Sequence, residues 1–447
     1  MSRQNSIFFW SITAALGGFL FGFDTAVISG VEQTLQQLWS LTPFQHGLTV
    51  SIALIGTVIG SMFGGIPADR LGRKKTLFWI ALSYLLSALG TALAHDWNLF
   101  LVFRFLGGLG VGASSVAAPM YITEISPARS RGKMVALFQF NVVFGILVAY
   151  ISNYFLQDIP QEAWRWMLGV QAFPALLFII TVLNIPESPR WLVLKQGKTI
   201  EALSILEIID PQTAKQTLQN ISNSQTDAPI GKPQLFSGKY KIPVTLAILF
   251  AVFNQMSGIN AIIYYAPRIF EMTGLGKDSA LLSSAGIGLT NLIFTLLALN
   301  VIDRFGRRKL MLIGSVGLIV TLGLVARAFY LEDFGMTVPV LLFVYIAFFA
   351  FSQGAVIWVF ISEIFPNEVR ANGQALGSFT HWIMAAIVAF SFPSIASYLG
   401  GGNTFLFFSG MMLLQVLFVW KMMPETKGAS LESPLSPNGA MTHFHIG

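Results

Sequence analysis

Twelve long apolar runs, each bounded by polar or basic residues, constrain this chain more than any single motif does. They fall at residues 7–30, 48–67, 76–94, 98–122, 134–156, 164–184, 242–270, 279–302, 309–329, 338–365, 373–398 and 403–423. A helix crosses a bilayer with about 20 mainly apolar residues, which is the order of each run. In lipid every backbone N–H and C=O must be satisfied within the protein, so such runs become helices or the strands of a closed barrel. The period-two alternation of barrel strands is missing. The expected fold class is therefore an all-α integral membrane protein with twelve transmembrane helices. Composition agrees, with 11% charged and 54% hydrophobic residues where a soluble protein carries about 25% charged residues.

A net charge of +6 and a pI near 9.4 invite a nucleic-acid reading, but the basic residues sit in the loops between apolar runs and report orientation instead. With the termini and the even-to-odd loops on one side, only Arg104, Arg165, Arg268, Lys277 and Arg327 of the 27 Lys and Arg fall elsewhere. That asymmetry places both termini in the cytoplasm of a multi-pass plasma-membrane protein, the inner membrane in a bacterium. The sequon at Asn220 then lies inside and stays unmodified. The first run, Ile7 to Gly30, is too long for a signal-peptide core and is expected as the first membrane helix. The absence of cysteine removes disulfides, thiolate metal sites and thiol nucleophiles.

The two halves repeat. DRLGRKK from Asp69 recurs as DRFGRRK from Asp303, EISPARSRG from Glu124 as EIFPNEVRA from Glu363, and PESPR from Pro186 as PETKG from Pro424, at nearly constant separation. The expected organisation is an N-terminal six-helix bundle (1–184), a cytoplasmic linker with short amphipathic helices (185–241), a C-terminal six-helix bundle (242–428) and a cytoplasmic tail (429–447), with any substrate site near the midplane between the bundles. Within the linker, Thr199 to Ile209 has helical character and Pro211 stops it, before a Ser/Asn/Gln-rich section through Asp227.

Asp24 stands inside the first apolar run, in GGFLFGFDTAVISG. A carboxylate at the middle of a membrane helix costs upward of about 2.5 kcal/mol, so it is kept where it lines a cavity or has a partner. The first span runs outward and the fourth inward. Asp24, six residues before Gly30, and Arg104, six after Asn98, therefore both lie about 9 Å below the outer edge at a rise of 1.5 Å per residue. Opposite charges at equal depth are expected to pair. A second set of charges, Asp69, Arg73, Glu124, Arg131, Glu187, Arg190, Asp303, Arg307, Glu363, Arg370 and Glu425, gathers at the cytoplasmic helix ends. It reads as an inner latch, an ion-pair network that biases a conformational equilibrium, and equally as orientation signal and helix capping.

On these paired motifs, and on PESPRWL (Pro186 to Leu192), QMSGINAIIYYAP (Gln255 to Pro267) and PETKG (Pro424 to Gly428), the chain resembles the sugar porters of the major facilitator superfamily. It is similar to bacterial proton-coupled xylose and hexose symporters and to animal glucose facilitators. The resemblance implies a secondary active transporter that imports a monosaccharide by alternating access, with Asp24 and Arg104 at the positions of proton coupling. Animal facilitators carry Asn at the acid position. By matching FQF, NQMSGIN, TN, IW and HW in turn, it also assigns Gln139, Asn254, Gln255, Asn260, Asn291, Trp358 and Trp382 to the sugar site, and Tyr264 and Tyr265 to an outer gate.

The residues themselves fit such a ligand. An uncharged sugar calls for amides that both donate and accept, and for an aromatic face toward its C–H surface. Asn254, Gln255 and Asn260 stand amid apolar residues, Asn260 and Tyr264 share a helical face, and Gly258 is placed to interrupt the helix. For any one amide, hydrogen bonding between helices is the plainer reading. Departures from the family include SQGAVIW (Ser352 to Trp358), which lacks the usual prolines and leaves Gly354 alone for a hinge, and Asn254, where glutamine is more usual. His381, next to Trp382, adds a titratable ring whose plainer role is packing or hydrogen bonding.

No phosphate loop, metal-spaced His/Glu set or serine elbow points to an enzyme. No metal or organic cofactor is expected, protons being the coupling ion, and the partners are sugar, protons and lipid, with the monomer as working unit. Passive sugar uniport is the main alternative, separated from symport by Asp24. A proton-driven drug exporter or a transporter-like sugar sensor fits the amide cluster and PESPR less well.

Overall fold

The computed structural model describes residues 3–127, 129–223, 235–366 and 368–427. Among them every regular element is helical, as apolar spans that must satisfy their own backbone require. Eleven helices are long and apolar enough to cross a bilayer. The last, Arg370–Lys421, continues for 52 residues through a kink at Gly400 (φ 78°) and accounts for the eleventh and twelfth expected spans.

Helix starts follow local chemistry. Asp96 caps the Trp97–Ile125 helix by accepting from the Leu99 N–H at 3.0 Å, which satisfies one of the orphan donors of the first turn. The seventh span is broken into Lys241–Met256 and Ile259–Met272, with Gly258 at φ 84° between them. The tenth consists of Thr337–Phe349, a π-helical turn Ala350–Gly354, and Ala355–Ile364. The irregularity that prolines bring to such a span is supplied here by an extra residue in the turn.

Contacts divide the chain into two units, residues 3–41 with 49–223, and residues 42–48 with 235–427. In the first unit the Arg3–Val27 and Arg131–Leu156 helices cross tightly: a Cβ on Gly22 would lie 1.8 Å from the Val142 carbonyl oxygen, and one on Gly145 2.1 Å from that of Phe19. Small residues at such a crossing let backbones touch, and this contact fixes the span that carries Asp24. The polar stretch after the sixth span forms helices Pro189–Gln196, Thr199–Ile209 and Ala214–Asn223. Their apolar faces, including Trp191, Ile205, Leu206 and Ile209, join the core of the first unit beside Trp10 and Tyr121. The second unit has its own core around Phe250, Leu310, Phe360 and Phe418. The rest of the expected linker, 224–234, and residues 428–447 lie outside the described residues.

Candidate functional site

Asp24 and Arg104 pair within the first unit. Arg104 Nη1 donates to Asp24 Oδ1 at 2.9 Å and Nη2 to the Asp24 carbonyl at 3.4 Å, with both side chains at most 3% exposed. The guanidinium Nε is buried without a hydrogen-bond partner. Around the pair lie groups that are inconspicuous in the sequence. Gln171, a lone amide in an apolar run, is 2% exposed and turns its side chain toward Asp24 without closing a normal hydrogen bond through Nε2. Tyr84 donates to the Gly17 carbonyl at 3.4 Å, about two helical turns before Asp24. Gly107 makes room for Ser87: a Cβ there would stand 2.4 Å from Ser87 Oγ, while its 3.6 Å separation from Asp24 Oδ1 would be an ordinary contact. A charged pair so placed is costly to break: removing one partner strands the other in a medium that solvates ions poorly.

The second unit holds a chain of neutral amides at the break in the seventh span. Asn260 Nδ2 donates to Gln255 Oε1 at 2.6 Å, Gln255 Nε2 to Asn254 Oδ1 at 2.9 Å, and Asn254 Nδ2 to the Gln353 carbonyl at 3.4 Å. Gln255 Nε2 also lies 3.3 Å from the His381 ring nitrogens. His381 in turn packs 4.9 Å from the Trp358 ring and 4.8 Å, edge to face, from Trp382. Trp382 is buried, whereas Trp358 is 36% exposed. His381, expected to pack or to hydrogen-bond, does both, lying between the Gln255 amide and the two tryptophan rings.

Asn291 is half-buried on the eighth span and accepts from Thr295 Oγ1 at 3.4 Å. Gln139 is half-buried in the first unit. Tyr264 and Tyr265 are buried, and Tyr265 donates to the Ala389 carbonyl at 2.9 Å and packs 5.0 Å from Phe392.

The charged motifs build one network in each unit. In the first, Arg73 donates through Nε and Nη2 to Glu124 at 2.9 and 3.0 Å and pairs with Asp69 at 3.1 Å. Glu187 accepts the Arg73 and Lys74 backbone N–H groups at 2.8 and 3.1 Å. In the second, Arg307 donates to Glu363 at 3.1 and 2.8 Å and to Asp303 at 2.9 Å. Glu425 there accepts the Arg307 and Arg308 N–H groups at 2.8 and 3.1 Å. Each motif glycine has a double reason. Gly72 and Gly306 adopt φ of 99° and 84°, and a Cβ would come within 2.2 Å of Glu187 and 2.5 Å of Glu425, so the carboxylate reaches the open N–H groups of a helix start. Burial pushes the Glu187 carboxyl above its ordinary range against the hydrogen bonds it accepts. Arg131 and Arg190 are exposed, outside these networks among the described residues, and Arg370 Nε donates to the Phe365 carbonyl at 3.2 Å.

Repeated bundles with a buried ion pair in one and an uncharged amide chain in the other define a multi-span membrane transporter. The chain matches the family described as "Sugar (and other) transporter" over residues 10–434, and it belongs to that family. It is 39% identical over 431 residues to the arabinose-proton symporter of Bacillus subtilis (strain 168), covering 94% of this chain and 93% of that one. It is 35% identical over 472 residues to the D-xylose-proton symporter of Escherichia coli (strain K12), covering 96% of each. Its fold is similar to that of the xylose transporter XylE from E. coli in a partially occluded inward open conformation, with a TM-score of 0.85, 34% identity and coverage of 95% and 100%. The architecture is that of the major facilitator superfamily.

Proposed function

We propose that this chain imports a monosaccharide, a pentose or a hexose, by alternating access in symport with protons across the plasma membrane. The observation that carries this reading is the pairing of a buried Asp24–Arg104 ion pair with an amide chain that has no formal charge. One group can take up a proton, and the other surface suits an uncharged polyol. The relatives named as arabinose-proton and D-xylose-proton symporters support both halves of the reading.

In this mechanism an ionised, unpaired carboxylate cannot be carried through a closed pore, so the loaded carrier changes sides with Asp24 protonated and its hold on Arg104 relaxed. Sugar hydroxyls exchange places with the internal bonds of Asn254, Gln255 and Asn260, while Trp358 and Trp382 face the C–H surface and Gln139 and Asn291 complete the site. Tyr264 and Tyr265 act at the outer gate. The Arg73 and Arg307 networks belong to the cytoplasmic latch, both termini are cytoplasmic, and the monomer is the working unit with no cofactor besides the proton.

Uptake of radiolabelled D-xylose, L-arabinose and D-glucose into proteoliposomes, with and without a pH gradient, tests the reading. Asp24→Asn is expected to abolish uphill accumulation while sugar binding and exchange down the gradient survive. A variant that still concentrates sugar sinks the symport reading, and wild-type protein that never does so makes the chain a uniporter. For orientation, single cysteines at Ser130 and Gln157 are expected to label from the inside and the outside respectively.

A further inference from the structure

Two glutamines of the second unit have no place in the transport mechanism above. Gln353 and Gln415 are 0% and 1% exposed, in the tenth and twelfth spans, and a buried amide is costly unless its donors and acceptors find partners. Gln353 Nε2 donates to Gln415 Oε1 at 2.9 Å and lies 3.2 Å from the Met412 sulfur, while its Oε1 is buried with no partner. One acceptor is thus left unsatisfied to keep the side chain in this place.

That place is the π-helical turn Ala350–Gly354, the only one among the described residues. A π turn holds one residue more than an α turn, so its carbonyls fall out of the regular register and can accept bonds from outside the helix. The Gln353 carbonyl does so, taking the Asn254 side-chain N–H at 3.4 Å. The chain Asn260, Gln255, Asn254 therefore ends on the backbone of the same residue whose side chain is tied to the last span.

We propose that Gln353 is a positioning residue for the sugar site: its tether to Gln415 fixes the π turn, and the turn's carbonyl sets the orientation of the Asn254 amide and through it that of Gln255. Being fully buried, Gln353 acts without touching the sugar. An amide can present either its oxygen or its nitrogen to a ligand, and a fixed acceptor at Asn254 Nδ2 leaves one choice along the whole chain. The inference rests on the reading of Asn254 and Gln255 as sugar-binding amides.

The test uses the full-length protein in detergent and in proteoliposomes, with whichever of D-xylose, L-arabinose and D-glucose the wild type binds. Methionine keeps the length of glutamine and removes the amide. Gln353→Met and Gln415→Met are each expected to raise Kd and exchange KM by about tenfold, the effect of one well-made hydrogen bond, with Vmax within about twofold of wild type. The double variant is expected to lose no more than either single one. Gln353→Met combined with Asn254→Ala is expected to lose no more affinity than Asn254→Ala alone. Should Gln353→Met fail to fold, Gln415→Met removes the same bond from the other side. A lower melting temperature with unchanged Kd and KM, or additive losses with Asn254→Ala, overturns the proposal and leaves the pair as helix packing. Unchanged affinity in Asn254→Ala itself locates the failure in the sugar-site reading and overturns both.

Discussion

Arg73 and Arg307 stand at matching points of the two units and meet matching partners: a glutamate taken by two nitrogens, an aspartate four residues back, and a second glutamate that accepts from the arginine's own backbone N–H and from the next one. Within the buried part of the spans the units part company. The first holds a full charge pair, Asp24 with Arg104, and the second a run of neutral amides from Asn260 to Gln353. The difference teaches where a duplicated fold is free to change. The motif ends set how helices begin and turn, a task both units share, whereas the buried interior carries no such shared task. Charge suits a group that gains and loses a proton, and amides suit a ligand without charge.

The sharpest way to break this comparison is Arg104→Ala, which leaves Asp24 buried without its cationic partner, at an expected cost of about 3–5 kcal/mol. Thermal melting of detergent-solubilised protein should show the loss, and adding Asp24→Asn should recover much of it. A single variant as stable as wild type means that Asp24 has another partner. Next come Arg73→Ala and Arg307→Ala, each losing charge-assisted bonds worth about 1.5–3 kcal/mol. Similar falls in melting temperature keep the two motif copies equivalent, and a large inequality ends that equivalence.

Gln255→Ala sharpens the contrast at the middle. It is expected to weaken sugar binding by about 1–3 kcal/mol, the range for a buried partner left unpaired, with the protein still eluting as one species. Unchanged affinity by calorimetry returns the amides to helix packing. The smallest expected effect separates the motif copies themselves. Glu187 is half-buried and Glu425 exposed, and burial raises the Glu187 carboxyl above its ordinary 4.5. A raised folded value favours the protonated form, so this group's contribution to stability is fullest below pH 4.5 and is lost as pH rises through the folded value. Glu187→Gln should flatten the melting temperature against pH in that window, and an unaltered slope assigns the pH dependence elsewhere.

Much of the candidate site was legible because it depends on depth. Asp24 and Arg104 could be matched by counting residues from the span ends, since rise per residue is nearly constant in a helix. Asn254, Gln255 and Asn260 announced themselves as amides in apolar surroundings, and Gly258 as the break beside them. Gln353 and Gln415 are likewise amides in apolar surroundings, but two neutral groups lack the opposite charges that singled out Asp24 and Arg104 as partners. Asn291, assigned by resemblance, accepts instead from Thr295 on its own helix.

By itself, then, the sequence determined that the chain is helical and spans a membrane, that its halves repeat, and that a charge pair lies at one depth, because apolar length, motif spacing and helical rise act locally. The tertiary structure alone decided that Gln171 turns toward Asp24, that His381 bridges Gln255 and the two tryptophans, and that Gln353 joins Asn254 to Gln415. The physical reason is rotation: which side chains face one another across two helices depends on their tilt and azimuth. A π-helical turn, a glycine break and a kink reset that azimuth partway along a span, and no residue count reveals it.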